Sequence, residues 1–271
     1  MTLRFEELTR EQLNGMARQG YAAVVPLGAC EQHGPHLPTG TDNFICDEIS
    51  RRAVAEAVDM GAKLILAPLL PVGSSAHHIA FGGTISFSSA TYLSILKDIG
   101  ASLADSGFNR LIFLNGHGGN EHLMHQAASD LAVTHLAWTA SASYWNVARE
   151  ALAAACPEEI FPVPGHAGGF ETSLILSLAP DTLHDSRIGN EHPRRPWMAA
   201  GLSGAFIGKQ GELTGVDGYT DPAKLATAEQ GKQYINTIAA AVSKWLLATW
   251  KTMDGDIRAE SDPSGNFAPN K

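Results

Sequence analysis

Residues 21–42 read Y-A-A-V-V-P-L-G-A-C-E-Q-H-G-P-H-L-P-T-G-T-D, and both the fold and the chemistry can be read outward from them. Residues 21–27 are a short apolar run, the pattern of a strand buried on both faces. The run gives way to a polar stretch, 31–42, in which Glu31, Gln32, His33, His36 and Asp42 can each offer an oxygen or nitrogen to a metal. Pro35 and Pro38, with turn formers at Gly34, Gly40 and Thr41, keep that stretch from becoming a helix. A polar loop at the carboxyl end of a buried strand is where open α/β sheets bind their ligands.

The same alternation runs through the rest of the chain. Residues 63–70 and 110–114 read as further buried strands, and 135–145 as a fourth that ends at Trp145. Between them lie helical patterns. Residues 45–60 place Ile45, Ile49, Ala53 and Ala57 on one face before Gly61; 89–106 do the same with Leu93, Leu96 and Leu103 before Gly107; 121–133 follow the third strand. A short amphipathic helix over 5–20 precedes the first strand, the second half of 165–178 is apolar and helical, and a long helix spans 225–250. Residues 185–220 are irregular and rich in Gly and Pro, and 253–271 read as a polar tail, loose or laid across a neighbour. Strands alternating with helices predict a mostly parallel sheet with helices on both faces. With no linker and no repeat, residues 1–271 read as one domain.

Composition narrows the function. The 271 residues are 44% hydrophobic and 17% charged, as in a well-packed water-soluble protein. No apolar run reaches membrane-spanning length and the first residues lack an apolar signal core, so a cytoplasmic protein with no membrane partner is expected. Three cysteines without a C-x-x-C spacing predict reduced thiols, with Cys30 a small buried residue rather than a ligand. A net charge of −9 opposes nucleic-acid binding, which needs a basic face. Eleven histidines against nineteen Lys and Arg raise the prospect of a metal site.

The candidate ligands lie in three segments. Glu31 and His33, two apart, point the same way on an extended chain and can serve one centre or two adjacent ones. Asp42 precedes a helix, where an N-cap is the structural alternative, and His33 and His36 can instead bond within a turn. His117 lies in N-G-H-G-G-N, residues 115–120, whose glycines let the backbone approach a bound group. That loop could form an anion-binding nest, but it is neither G-x-G-x-x-G nor a P-loop, so a nucleotide site is the weaker reading. His166 and Glu171 share H-A-G-G-F-E-T; the alternatives are a surface histidine and a carboxylate favoured by a helix N-terminus. Together, Glu31, His33, Asp42, His117 and Glu171 are oxygen and imidazole ligands suited to Zn²⁺ or Mn²⁺. Three carboxylates in one crevice repel unless cations separate them; two divalent ions meet that need, and a carboxylate such as Asp42 can bridge them.

These motifs resemble the creatininase family, the creatinine amidohydrolases and their relatives. The matching pieces are L-G-A-C-E-Q-H-G-P-H-L-P-T-G-T-D, G-T-I-S at 83–86, L-N-G-H-G-G-N, S-Y-W at 143–145 and H-A-G-G-F-E-T-S-L-I-L, with G-V-D-G-Y-T-D-P towards the C-terminus. The resemblance implies a three-layer α/β/α fold, a homohexamer built as a trimer of dimers, and two divalent metals, zinc or manganese, with Fe²⁺ a further candidate. It implies that Glu31, Asp42 and His117 hold one ion and that His33 and the bridging Asp42 hold the other. Creatininases carry a glutamate where this chain has Gly119, so Glu171 is expected to complete the second site. They carry a tryptophan where this chain has Pro162; both departures point away from creatinine itself.

The implied reaction is hydrolysis of an amide-type C–N bond in a small molecule, a cyclic amide or a formamide. A metal-activated water attacks the carbonyl, and His166 shuttles a proton to the leaving nitrogen; Glu171 is the other catalytic candidate. Ser74, His77, His78 and Trp145 are expected to line the substrate pocket. The alternatives are a family member acting on a cyclic sugar ketone or a peptide terminus, a metal-binding or small-molecule-binding protein without catalysis, and a nucleotide-binding module.

Overall fold

In the computed structural model of the chain, residues 4–156, 163–184, 188, 209, 214, 215 and 217–260 are described, with 256–260 as backbone only. Four strands, β1 (Ala22–Leu27), β2 (Leu64–Leu66), β3 (Arg110–Asn115) and β4 (Trp138–Ser143), form a parallel sheet in the order β2-β1-β3-β4. The three strands that read as continuous apolar runs are buried along their whole length. β4, at the edge, is mostly half-buried, which is why W-T-A-S-A-S tolerates polar residues.

The side chains of the strands divide between two faces with period two. On one face Ala22, Val24, Ile112 and Leu114 pack with Ile45, Ile49, Ala53 and Ala57 of α2 (Thr41–Asp59). Helices α7 (Gly169–Leu178) and α8 (Ala228–Glu260) complete that layer. On the other face Ala23, Val25, Leu27, Leu111 and Phe113 pack with Tyr92, Leu96 and Leu103 of α3 (Ser89–Asp105) and with Met124, Ala127 and Leu131 of α4 (Glu121–Thr134). The result is the three-layer α/β/α architecture. After β1 the chain crosses on the α2 face; after β3 it leaves on the α4 face. The crevice between the carboxyl ends of β1 and β3 is therefore the topological switch point of the sheet.

Several expectations are corrected. The segment 63–70 pairs regularly only over Leu64–Leu66 and rejoins at a single Leu27–Leu70 bridge, because Pro68 cannot donate to the ladder. Helix α2 starts at Thr41 with Gly40 as its uncapped N-cap, so Asp42 lies inside the first turn. β4 ends at Ser143, and Trp145 sits on a short helix, α5 (Tyr144–Val147), followed by α6 (Arg149–Ala155), which the sequence reading omitted. The first helix is split into a turn at Phe5–Glu7 and α1 (Arg10–Arg18), separated by a Thr9–Gln12 capping box.

The helix expected over 225–250 starts at Ala228 and runs to Glu260, absorbing 253–260 of the expected polar tail. Met253 is buried, Asp254 pairs with the buried Arg110 at 3.1 Å, and Arg110 Nη1 and Trp250 Nε1 both donate to the Gly20 carbonyl. Residues 261–271, most of 185–213 and Pro162 lie outside the described residues. Among the described residues, no helix is long and apolar enough to cross a membrane.

The crossing of α7 and α8 depends on one glycine. A Cβ at Gly231 would stand 1.8 Å from the backbone oxygen of Ser173. Alanine there gains about 1 kcal/mol of helix propensity, yet a contact that close with backbone forces the helices apart, at a cost of about 1–3 kcal/mol or more. Gly231→Ala is expected to lower the denaturant midpoint; an unchanged or raised midpoint would show that the helices separate freely.

Candidate metal and active site

The site is assembled at the switch point. β1 and β3 pair in register up to Leu27–Asn115, so the loops that follow emerge side by side. Gly116 N donates to the Leu27 carbonyl at 2.8 Å, and a Cβ at Gly116 would lie 2.6 Å from that of Cys46 on α2, so only glycine fits between strand and helix. The loop after β1 closes on itself: Glu31 N donates to the Thr39 carbonyl at 2.9 Å and His33 bridges Leu37. This turns Glu31 and His33 inward. Asp42 meets them from the first turn of α2.

The two asparagines of N-G-H-G-G-N are scaffolding that sequence reasoning missed. Asn115 brackets the His117 backbone, accepting from its N–H at 3.1 Å and donating to its carbonyl at 2.7 Å. Asn120 accepts from Ser74 N and donates to the Gly28 carbonyl, both at 3.0 Å, which ties together the loops that follow β1, β2 and β3. The partners of Asn120 lie 46 and 92 positions away in sequence, so spacing could not reveal them. The His166 loop is clamped similarly: its N–H donates to Thr220 Oγ1 at 2.7 Å and its carbonyl accepts from Thr220 N at 2.9 Å. Glu171, in the first turn of α7, accepts from Ala167 N at 2.6 Å.

All five residues expected to hold metal converge. Glu31, Asp42 and His117 form one group, and His33, Asp42 and Glu171 another, with the ligand atoms of each within 4.8 Å of one another. Asp42 belongs to both: its Oδ1 is 3.3 Å from His33 Nε2 and its Oδ2 is 3.1 Å from His117 Nδ1. His117 Nδ1 is also 3.3 Å from Glu31 Oε1, and His33 Nε2 is 3.7 Å from Glu171 Oε2. Two further groups share Glu31, one with His33 and His166 and one with His77 and His78. Cys30 is half-buried rather than buried and joins none of them. His36 is turned away, with Nε2 3.0 Å from Thr172 Oγ1 and its ring against Tyr219.

Outer hydrogen bonds fix the proton positions. His33 Nδ1 lies 3.1 Å from the Glu31 carbonyl and donates to it, so Nε2 faces Asp42 and Glu171 with its lone pair. His117 Nε2 lies 3.3 Å from the Ser74 carbonyl and 3.2 Å from Ser75 Oγ, which leaves Nδ1 bare towards Glu31 and Asp42. Bare nitrogens against carboxylates in a buried site call for a cation. Glu31 Oε2 and His33 Nε2 are buried without a hydrogen-bond partner, and each belongs to one of the two groups. The residues present therefore fit a pair of divalent ions.

Without ions, protons take up the imbalance. Burial opposes charge on His33, but Asp42, Glu171 and Glu31 outweigh it and pull its pKa up to about 10. Burial likewise opposes charge on His117, and Glu31 and Asp42 raise its pKa well above the usual histidine value. Asp42 is held far below the carboxylate range because His33 and His117 overcome its burial. Burial pushes Glu171 up to about 8 against the attraction of His33. His166 is driven down by burial and by its histidine neighbours, so it stays neutral.

Ser74, His77, His78 and Trp145 line a cavity of ≈ 580 Å³ whose floor is Glu31, Asp42, His117 and Glu171. His122 and Ser89, which the sequence reading passed over, line it too, and His166 forms part of its wall. A volume of this order accommodates a drug-sized ligand.

A family model described as creatinine amidohydrolase matches residues 6–246. The chain is 32% identical over 244 residues to the mycofactocin precursor peptide peptidase of Mycolicibacterium smegmatis, covering 88% of this chain and 89% of that protein. It is 30% identical over 206 residues to the creatinine amidohydrolase of Pseudomonas putida, covering 69% and 76%. A solved creatininase described as its Mn form superposes with a TM-score of 0.74 at 25% identity, covering 97% of this chain and all of that one. With a match across nearly the whole chain and the same fold, this protein belongs to the creatininase family of hydrolases.

Proposed function

We propose that the protein is a metal-dependent amidohydrolase that cleaves an amide-type C–N bond, using two divalent ions. The observation that carries this reading is Asp42, whose two carboxylate oxygens face different histidines in two ligand groups. Glu31, Asp42 and His117 would hold one ion; His33, Asp42 and Glu171 would hold the other. When bound, the ions supply Lewis acidity and lower the pKa of a water to ~7, which provides a nucleophile at neutral pH.

The protein's own groups do the rest. His166 donates Nε2–H to the Gln32 carbonyl at 2.9 Å, and its Nδ1 lies 3.6 Å from Glu31 Oε1, so a lone pair faces the floor of the cavity. That nitrogen can take a proton from the nucleophile and return it to the leaving nitrogen. The Thr220 clamp holds the His166 backbone in place, and the Gln32 carbonyl holds the ring through Nε2. Trp145, His77 and Ser74 flank the substrate, and burial of the cluster strengthens each electrostatic interaction within it.

A second reading, hydrolysis at a peptide terminus, is favoured by the similarity to the mycofactocin precursor peptide peptidase and by a cavity roomier than one small ring needs. The two readings share the chemistry and differ in substrate. Protein loaded with Zn²⁺ or Mn²⁺, assayed against cyclic amides, formamides and short peptides, separates them. Activity on a cyclic sugar ketone alone would overturn the amide reading.

Metal analysis is expected to give two divalent ions per chain after metal-replete purification, and chelation to abolish turnover; fewer than one ion defeats the proposal. His166→Ala is expected to keep both ions while turnover falls about 10²–10⁴-fold, and normal turnover would remove His166 from the mechanism. Gly119 gives a third test. A Cβ there would lie 2.2 Å from the Ser74 carbonyl oxygen and 2.6 Å from His117 Nε2. Gly119→Glu is therefore expected to displace the His117 loop and lower metal content without conferring creatinine hydrolysis. Full metal content with new creatinine turnover would show that the loop yields.

A further inference from the structure

Glu31, His77 and His78 form a cluster of metal-ligand type, with donor atoms within 4.8 Å of one another, whose two histidines have no place in the two-ion site. What the cluster can do depends on where its protons are. Gln32 Oε1 accepts from Gly34 N at 2.9 Å, and Gln32 Nε2 donates to the Gly218 carbonyl at 3.1 Å, so two backbone groups fix which end of the amide is which. A Cβ on Gly218 would fall 2.0 Å from Gln32 Oε1, so glycine is what leaves room for the amide.

The remaining amide hydrogen faces His78 Nδ1 at 2.7 Å. An amide nitrogen offers no lone pair, so His78 Nδ1 must be the acceptor. In the neutral ring the proton then sits on Nε2, which lies 3.4 Å from Glu31 Oε1. His166 Nε2 lies 3.1 Å from the same amide nitrogen, but its proton goes to the Gln32 carbonyl at 2.9 Å. His33, His117 and His166 therefore turn lone pairs towards the carboxylates, and His78 turns an N–H.

We infer that Gln32 is a positioning residue that fixes His78 as an Nε2–H donor, so the Glu31–His77–His78 cluster steadies Glu31 and takes no cation of its own. An ion there would need the lone pair of His78 Nε2. That would move the proton to Nδ1 and set it against the amide hydrogen across 2.7 Å. The ring also packs against two others, stacked on His166 at 4.1 Å and tilted against His77 at 4.2 Å between centroids, and these contacts oppose a rotation that would relieve the clash. The ion count rests on the two-ion reading above; the tautomer rests on Gln32 alone, with or without metal.

Magic-angle-spinning ¹⁵N NMR of microcrystals labelled in histidine reads the tautomer, with His78→Asn to assign the signal. Wild-type protein, both metal-free and Zn²⁺-loaded, is expected to show a protonated Nε2 and a bare Nδ1 at His78, with two Zn²⁺ per chain by metal analysis. In Gln32→Glu the carboxylate accepts from Nδ1, so the tautomer inverts and a third Zn²⁺ is recruited. A protonated Nδ1 or a metal-bound Nε2 at His78 in the wild type, or a third Zn²⁺ there, overturns the inference. The wild-type spectrum decides this even where Gln32→Glu fails to fold. Fewer than two Zn²⁺ with the Nε2–H tautomer intact sinks the two-ion reading and supports this one.

Discussion

The structure is organised around a charge problem. Glu31, Asp42 and Glu171 are all buried, and they meet at the end of a parallel sheet where water cannot screen them. Buried carboxylates cost several kcal/mol each unless they are paired. Three histidine nitrogens turned towards them offset part of that cost only if protons or cations sit between. The tautomers set by the Glu31, Ser74 and Gln32 carbonyls leave the inward nitrogens bare, which is the state that binds metal. The outer hydrogen bonds therefore hold one proton on the far side of each ring, so that the inward nitrogen is the one left to meet a proton or a cation.

That arrangement is possible because the fold brings three loops to one point. β1 and β3 are neighbours although Ala23 and Leu111, the first pair of their register, lie 88 positions apart in the sequence, and the register runs on to Leu27 and Asn115, where both strands end. Asn120 then fastens the loops after β1, β2 and β3 to one another, and Thr220 fastens the His166 loop from the far end of the chain. Close approach is paid for with glycine: at Gly168 a Cβ would fall 1.7 Å from Asp221 Oδ1, whose oxygen accepts from Gly169 N at the start of α7. The same principle operates at Gly119 and Gly231. These glycines are packing requirements, set by neighbours distant in sequence.

Much of the site was legible in advance because its residue types are unusual for their places. A buried apolar run that ends in Glu, His and Asp has few structural explanations, and the N-G-H-G-G-N loop has fewer. Asp42 was ambiguous, since an aspartate ahead of an apolar helix is commonly an N-cap. The helix starts one residue before it, which frees the carboxylate for His33 and His117. Gln32 was legible only as a possible metal donor, and its hydrogen bonds to Gly34, His78 and Gly218 give it a different place. A glutamine between two candidate ligands does not show which way its amide faces until Gly34, His78, His166 and Gly218 are seen around it.

By itself the sequence determined the alternation of strands and helices, the parallel sheet, and the identity of the candidate ligands, because hydrophobic period and residue chemistry are local properties. It misjudged the end of α8, where Met253 and Asp254 reach partners on the body of the protein. Only the tertiary structure decided how the oxygens of Asp42 divide between His33 and His117, which protons the outer hydrogen bonds hold on each histidine, and which glycines are obligatory. Those facts depend on distances between segments far apart along the chain, and on hydrogen bonds whose donors and acceptors become neighbours only when the chain is folded.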